Sequence, residues 1–227
     1  TQNGVRGGSA TVHFPIWHQE IEDILVLKNN KGTEDNRVRK LDYSIQISKI
    51  FYERFIKNAE ITLFSPNNVP DLYEAFGMPE FDDLYLKYEK DKSIPKKTIG
   101  AQELFMALLK ERAETGRIYI MNLDHCNTHS SFKDKVYMSN LCQEITLPTT
   151  PVQHIDDKEG EIALCILSAI NLGLLTDMKE LEELCDLSVR ALDEIIDYQE
   201  YPVEAAKISA QSRRSLGIGY IGLAHYL

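Results

Sequence analysis

Apolar and polar positions along this chain switch repeatedly between a period of two and a period near 3.6. "SATVHFPIW" (9–17) alternates and predicts a strand. "HQEIEDILVLK" (18–28) places Ile21, Ile24, Leu25 and Leu27 near helical spacing. "NNKGTEDNR" (29–37) is polar and turn-forming. Leu41, Ile45, Ile47, Ile50, Phe51 and Phe55 predict a mostly helical stretch over 41–57 with one apolar face. "ITLFSP" (61–66) reads as a short strand ended by proline, followed by short helices at 70–76 and 80–91. In "AQELFMALLKERAETG", Leu104, Phe105, Leu108 and Leu109 form a stripe and Gly116 suits a C-terminal cap. "RIYIMN" (117–122) is the next strand.

Residues 123–139 read as a polar loop and "LCQEITLP" (141–148) as extended. "EIALCILSAINLG" (161–173) reads as starting with a buried strand. Asp177 with Glu180 three residues on resembles a capping box for a helix over 178–198, and Pro202 follows it. A further helix to about Ser212 leads into glycine-rich sequence. There is no internal repeat. The alternation of strands and helices argues for an α/β architecture with mainly parallel strands.

The 227 residues are 43% hydrophobic and 26% charged, enough for one large domain or two small ones. No apolar run approaches the ~20 residues that cross a bilayer. The net charge of -10, from 35 acidic and 25 basic side chains, disfavours a nucleic-acid-binding face. It leaves room for a local basic pocket for phosphates. Neither nucleic acid nor membrane is an expected partner. No secretion leader is visible, and Cys126, Cys142, Cys165 and Cys185 form no CxxC pair. They read as reduced thiols of a cytoplasmic protein. The start at Thr1 and the stop inside "GYIGLAHYL" lead to the expectation of a piece of a longer protein.

Asn140, Cys142 and Glu144 carry the candidate chemistry. In an extended segment residues i, i+2 and i+4 share a face, so an amide, a thiol and a carboxyl would point the same way. A carboxylate neighbour raises a thiol's pKa, which disfavours thiolate attack. A neutral thiol can still give or take a hydrogen atom. Glu144 could then act as a base toward a substrate hydroxyl and Asn140 could hold that hydroxyl. A strand edge with a packed cysteine and two solvated polar residues fits the same spacing.

"SNLCQEITLPT" followed by "GEIALCILSAINLG" resembles the large catalytic subunit of aerobic (class I) ribonucleotide reductases, enterobacterial and large-phage versions above all. "NGVRGGSATVHFPIWHQEIEDILVLKNNKG", "GRIYIMNLDHCNTHSSF", "LDEIIDYQEYPVEAAK" and "RRSLGIGYIGLAHYL" resemble the same family in the same order. The resemblance implies part of a ten-stranded α/β barrel of two half-barrels of parallel strands, set antiparallel, with a central finger loop carrying Cys142. It implies thiyl-radical reduction of ribonucleoside diphosphates to deoxyribonucleoside diphosphates, an oxidoreductase activity that supplies DNA precursors.

By the same resemblance, Cys142 becomes the thiyl radical that takes the ribose 3′-hydrogen, and Glu144 removes the 3′-hydroxyl proton. Asn140 binds substrate with Glu144, and Cys165 is half of the redox pair that reduces the 2′ position as water leaves. No metal site and no bound cofactor is implied for this piece. The radical would come from a separate metal-containing small subunit and the electrons from a thioredoxin- or glutaredoxin-type reductant. ATP and dNTP effectors would regulate the intact enzyme, built on a large-subunit homodimer. The partner of Cys165 lies upstream in that family; neither Cys126 nor Cys185 sits where it should. The N-terminal nucleotide-binding cone, the rest of the C-terminal barrel and the tail are likewise outside the match, so 1–227 is expected to be a single piece of the catalytic barrel, inactive alone. Another thiyl- or glycyl-radical barrel enzyme, and a non-catalytic split-subunit fragment needing its missing N- and C-terminal pieces, are the alternatives.

Other signals are weaker. "GIGYIG" fits G-x-G-x-x-G, but no strand is expected before it, so close backbone packing is the reading. "DHCNTH" offers His125, Cys126 and His129 at no common zinc spacing, which suggests loop residues whose hydrogen bonds support the finger. Cys185, four residues after Leu181, is expected in the core. The eleven tyrosines are expected to pack. The cluster Lys87, Lys90, Lys92, Lys96 and Lys97 is expected to be solvated.

Overall fold

The strand read at 9–17 forms as β1 (Thr11–Pro15) in a computed structural model that describes residues 4, 5 and 7–227. Asn3 and Arg6 of the "NGVRGG" stretch lie outside the described residues. The chain divides into two compact units, Thr1–Leu147 and Pro148–Leu227.

In the first unit β1 leads to α1 (Ile21–Leu25). Residues 41–57, expected as one helix, are instead β2 (Asp42–Ile47) and α2 (Lys49–Ile56). The D-Y-S-I-Q-I alternation is a strand period, and Ser48 breaks it before the helical spacing begins. β3 (Glu60–Phe64), α3 (Pro70–Ala75) and α4 (Phe81–Lys90) follow as predicted. A strand not expected from sequence, β4 (Lys96–Gly100), pairs antiparallel with β3. It removes Lys96 from the solvated cluster: its Nζ donates to the carbonyls of Tyr88, Glu89 and Asp91 at the end of α4, where a cation suits the helix dipole.

Helix α5 (Ala101–Thr115) ends on Gly116 at φ 65°, a left-handed cap that glycine adopts without steric cost. β5 (Ile118–Asn122) then completes a parallel sheet in the order β1-β2-β5. A six-residue helix, α6 (Leu123–Thr128), stands where a loop was expected. Ile45, Ile47 and Ile118 on one face of the sheet enter the core with Trp17, Phe51, Phe64, Phe76, Phe81 and Tyr85. Tyr85 is fully buried, and its hydroxyl accepts from Thr62 N and donates to Thr62 O, both at 2.8 Å.

In the second unit β6 (Ile166–Asn171) starts later than the sequence suggested, and Leu167 is 61% exposed, so the expected buried strand is only partly buried. Helix α7 (Met178–Tyr198) begins where its cap predicts. Asp177 Oδ1 accepts from Lys179 N and Glu180 N at 2.8 and 3.0 Å. The Glu180 carboxylate reaches back to Thr176 N, one residue beyond the usual capping-box partner. Leu192 and Ile196 carry the buried stripe of α7; Cys185, seven residues before Leu192, shares their face but is exposed, contrary to the core expectation, because burial along α7 is confined to its C-terminal half. Tyr198 at the end of α7 is 91% exposed and does not pack as expected. α8 (Glu204–Arg213) leads into β7 (Leu216–Ile221), which pairs parallel with β6. A Cβ at Gly217 would meet the Leu167 side chain at 2.5 Å, whereas one at Gly219 would meet nothing closer than Ser168 O at 3.9 Å.

Candidate active site

On β1 and β2, the face of the β1-β2-β5 sheet opposite Ile45 and Ile47 is polar, while β5 adds Tyr119 and Met121 to it. Thr11 and His13 on β1 and Ser44 and Gln46 on β2 share it, because His13 pairs with Ser44 in register and side chains repeat every second residue. Ser44 and Gln46 are 0% and 2% exposed. Buried polar groups need partners, and these find them in the segment 137–143 that crosses the sheet. Gln46 Nε2 donates to Tyr137 O at 2.6 Å, His13 Nε2 to Ser139 O at 3.0 Å and Thr11 Oγ1 to Leu141 O at 2.5 Å. Asn127, on α6, clamps the start of the segment, donating to Val136 O and accepting from Val136 N.

The backbone at 140–143 is a turn rather than the extended run expected from sequence. Gln143 N donates to Asn140 O at 3.2 Å and Gln143 has φ 66°. A non-glycine residue in that region costs about 1–2 kcal/mol. The compensation is visible: Gln143 Oε1 accepts from Ser44 Oγ at 2.5 Å and Nε2 donates to Ile120 O at 2.7 Å. Asn140 Oδ1 accepts from Ile145 N at 3.0 Å, and Ser139 Oγ donates to Ile145 O, so both ends of the turn are tied.

Asn140, Cys142 and Glu144 therefore sit on one short turn, and strand alternation is not what groups them. Cys142 and Glu144 are exposed, whereas Gln143 and Ile145 between and beside them are half-buried. Asn140 is half-buried; its carbonyl side is used within the turn, and its Nδ2 donates to no acceptor among the described residues. Cys165 lies in the second unit, one residue before β6, half-buried, and is not in a disulfide.

A pocket of about 440 Å3 beside the turn is lined by Ile120, Met121, Asn122, His125, Cys126, His129, Gln143 and Thr146. Burial and the nearby Asp124 push the Cys126 thiol above its ordinary value, so it stays protonated at neutral pH. His125 and His129 meet edge-on at 5.5 Å. The hydrogen bonds from "DHCNTH" to the finger segment come from Asn127, not from His125, Cys126 or His129 as the sequence suggested. No group of three or more His, Cys, Asp or Glu side chains among the described residues could hold a metal ion.

The profile of the ribonucleotide reductase barrel domain matches residues 1–227. The chain belongs to the ribonucleotide reductase family. Its α/β fold, with parallel strand pairs, is a portion of that barrel. Similar proteins are the ribonucleoside-diphosphate reductase subunits alpha of Buchnera aphidicola from Schizaphis graminum (60% identical), Escherichia coli K12 (reductase 1 subunit alpha, 57%) and Enterobacteria phage T4 (46%), each over 100% of this chain. The chain spans about 30% of the length of these reductases. No helix among the described residues is long and apolar enough to cross a membrane.

Within this ribonucleotide reductase barrel portion, the sheet residues that hold the turn are distant in sequence from it and form no local motif with it. An extended run would put Gln143 on the face opposite Cys142 and Glu144, and the helical spacing over 41–57 conceals Ser44 and Gln46. The readable signal was the D-Y-S-I-Q-I alternation, which puts two polar residues on one strand face.

Proposed function

We propose that this chain is part of the large catalytic subunit of a ribonucleoside-diphosphate reductase, a single piece of its ten-stranded barrel. The observation that carries the reading is 57–60% identity to ribonucleoside-diphosphate reductase alpha subunits across the whole chain. The turn held against a polar sheet face supports it, because radical chemistry needs a reacting thiol positioned and not adrift.

In this reading Cys142, as a thiyl radical delivered from a metal-containing small subunit, takes the 3′-hydrogen of a ribonucleoside diphosphate. Glu144 accepts the 3′-hydroxyl proton, and Asn140 uses its free Nδ2 to bind the substrate. Cys165 and a second thiol from the rest of the polypeptide supply two electrons and two protons. The 2′-hydroxyl leaves as water, the dithiol becomes a disulfide, and Cys142 returns the hydrogen atom to the 3′ carbon and so recovers its thiyl radical; in sum, ribonucleotide plus dithiol gives deoxyribonucleotide, disulfide and water. A thioredoxin- or glutaredoxin-type protein then restores the dithiol. ATP and dNTP effectors act on other parts of a dimeric large subunit in the cytoplasm.

The test is turnover by the full-length subunit with its small subunit, a ribonucleoside diphosphate and a dithiol. Deoxynucleotide should form, and Cys142→Ser and Glu144→Gln should each reduce it by orders of magnitude. Wild-type turnover in Cys142→Ser would overturn the assignment. The isolated 227-residue chain should give no product.

A further inference from the structure

We infer that Gln143 is a positioning residue that sets Cys142 and Glu144 relative to the sheet; this rests on the reading of those two as the reacting pair. Gln143 lies between them in sequence, at the one point of the turn where the backbone enters the left-handed region, φ 66°. Its side chain turns away from the solvent that Cys142 and Glu144 face and bridges two strands. Oε1 accepts from Ser44 Oγ on β2 at 2.5 Å, and Nε2 donates to Ile120 O on β5 at 2.7 Å. The amide orientation follows from its partners, since the reversed amide would set a carbonyl oxygen against Ile120 O.

Ser44 is fully buried on the polar face, where a hydroxyl without a partner is costly, so the bond fixes Gln143 as firmly as it satisfies Ser44. The other contacts to the finger segment, from Thr11, His13 and Gln46, reach backbone carbonyls at 137–141, ahead of Cys142. Gln143 alone among these ties the segment down between the thiol and the carboxyl. A shift of about 1 Å at a reacting group costs on the order of 100-fold in rate, so a loose peg acts on turnover more than on binding.

The experiment uses the full-length subunit with its small subunit. Gln143→Gly keeps a residue that tolerates φ > 0 but removes both bonds; Gln143→Ala removes the bonds and the tolerance; Ser44→Ala attacks the same link from the other end. Each should lower kcat about 10- to 100-fold, with KM for the nucleotide within about twofold, and the loss should persist at temperatures well below the somewhat lower melting temperature that an unpaired buried group brings. Combining Ser44→Ala with Gln143→Gly should add little to either alone. Wild-type kcat in both Gln143→Gly and Ser44→Ala overturns the inference, as does a loss of kcat that disappears when each variant is assayed well below its own melting temperature. Cys142→Ser in the same assay separates the two failures: if it stays active, the functional reading fails; if it is dead while the Gln143 variants are normal, only the peg fails.

Discussion

The Cys165 sulfur stands 3.1 Å from the point a Cβ on Gly217 would occupy, across the parallel β6-β7 pair. Leu167 Cδ2 is 2.5 Å from the same point. The glycine of "GIGYIG" is thus a packing glycine, and the thiol rests in the space its missing side chain leaves. In the full-length protein, Gly217→Ala should push Cys165 away from β7 and speed its alkylation by iodoacetamide, read by mass spectrometry. Because Leu167 is exposed and its Cδ2 is the end of a flexible side chain, it can swing aside, so the stability cost should stay small while the alkylation rate changes.

His13 ties the finger to the sheet only as a donor through Nε2, since Ser139 O can only accept. That fixes the proton on Nε2 and leaves Nδ1 bare, buried and without a partner among the described residues. Burial lowers the imidazole's pKa, and the Ser139 bond opposes this in part. The unfolded chain therefore binds the proton more readily. Stability is complete above the ordinary histidine value of ~6.5 and falls as pH drops below it. Replacing His13 with Phe should flatten the stability profile on that acid side, measured by urea denaturation of the full-length protein at a series of pH values. An unchanged slope would exclude His13 as its source.

Arg54 binds Glu89 through two hydrogen bonds of 2.5 and 2.6 Å while Thr62 Oγ1 donates to the same carboxylate. Burial alone would raise the Glu89 pKa; the Arg54 and Thr62 bonds outweigh it and hold it below its ordinary value. The contribution is present above the unfolded value of ~4.3 and is lost as pH falls through the lower folded value. Arg54→Ala should cost about 1–3 kcal/mol at neutral pH by stranding a partly buried carboxylate. The cost should shrink in acid, and thermal melts at pH 7 and pH 4 would show the difference.

Phe81 is fully buried among Phe76, Phe51, Tyr85 and Trp17, with ring centroids at 4.7, 6.0, 5.7 and 6.5 Å. Truncation to alanine would leave a cavity walled by rings that cannot collapse into it. The expected loss is about 3–5 kcal/mol, seen as a lower denaturation midpoint. A loss below about 1 kcal/mol would mean that the cluster rearranges.

Elements with one-sided burial or strong end signals were legible in the residues alone. The stripe and Gly116 cap of α5, the Asp177 start of α7 and the alternation of β1 are local, because each depends on neighbours within a few positions. The chemistry-bearing trio Asn140, Cys142 and Glu144 was legible as a motif for the same reason. What the tertiary structure decided is how that trio is held. Ser44 and Gln143 are 99 positions apart, and no local period could show that the hydroxyl of one would anchor the amide of the other. The same holds for β7, whose glycines become a strand only beside β6, and for Asp42–Ile47, where pairing with β1 and β5 makes a strand of residues that helical spacing also fits. Apolar periodicity reports which side of an element is buried; it carries no information about which distant donor will satisfy a buried acceptor.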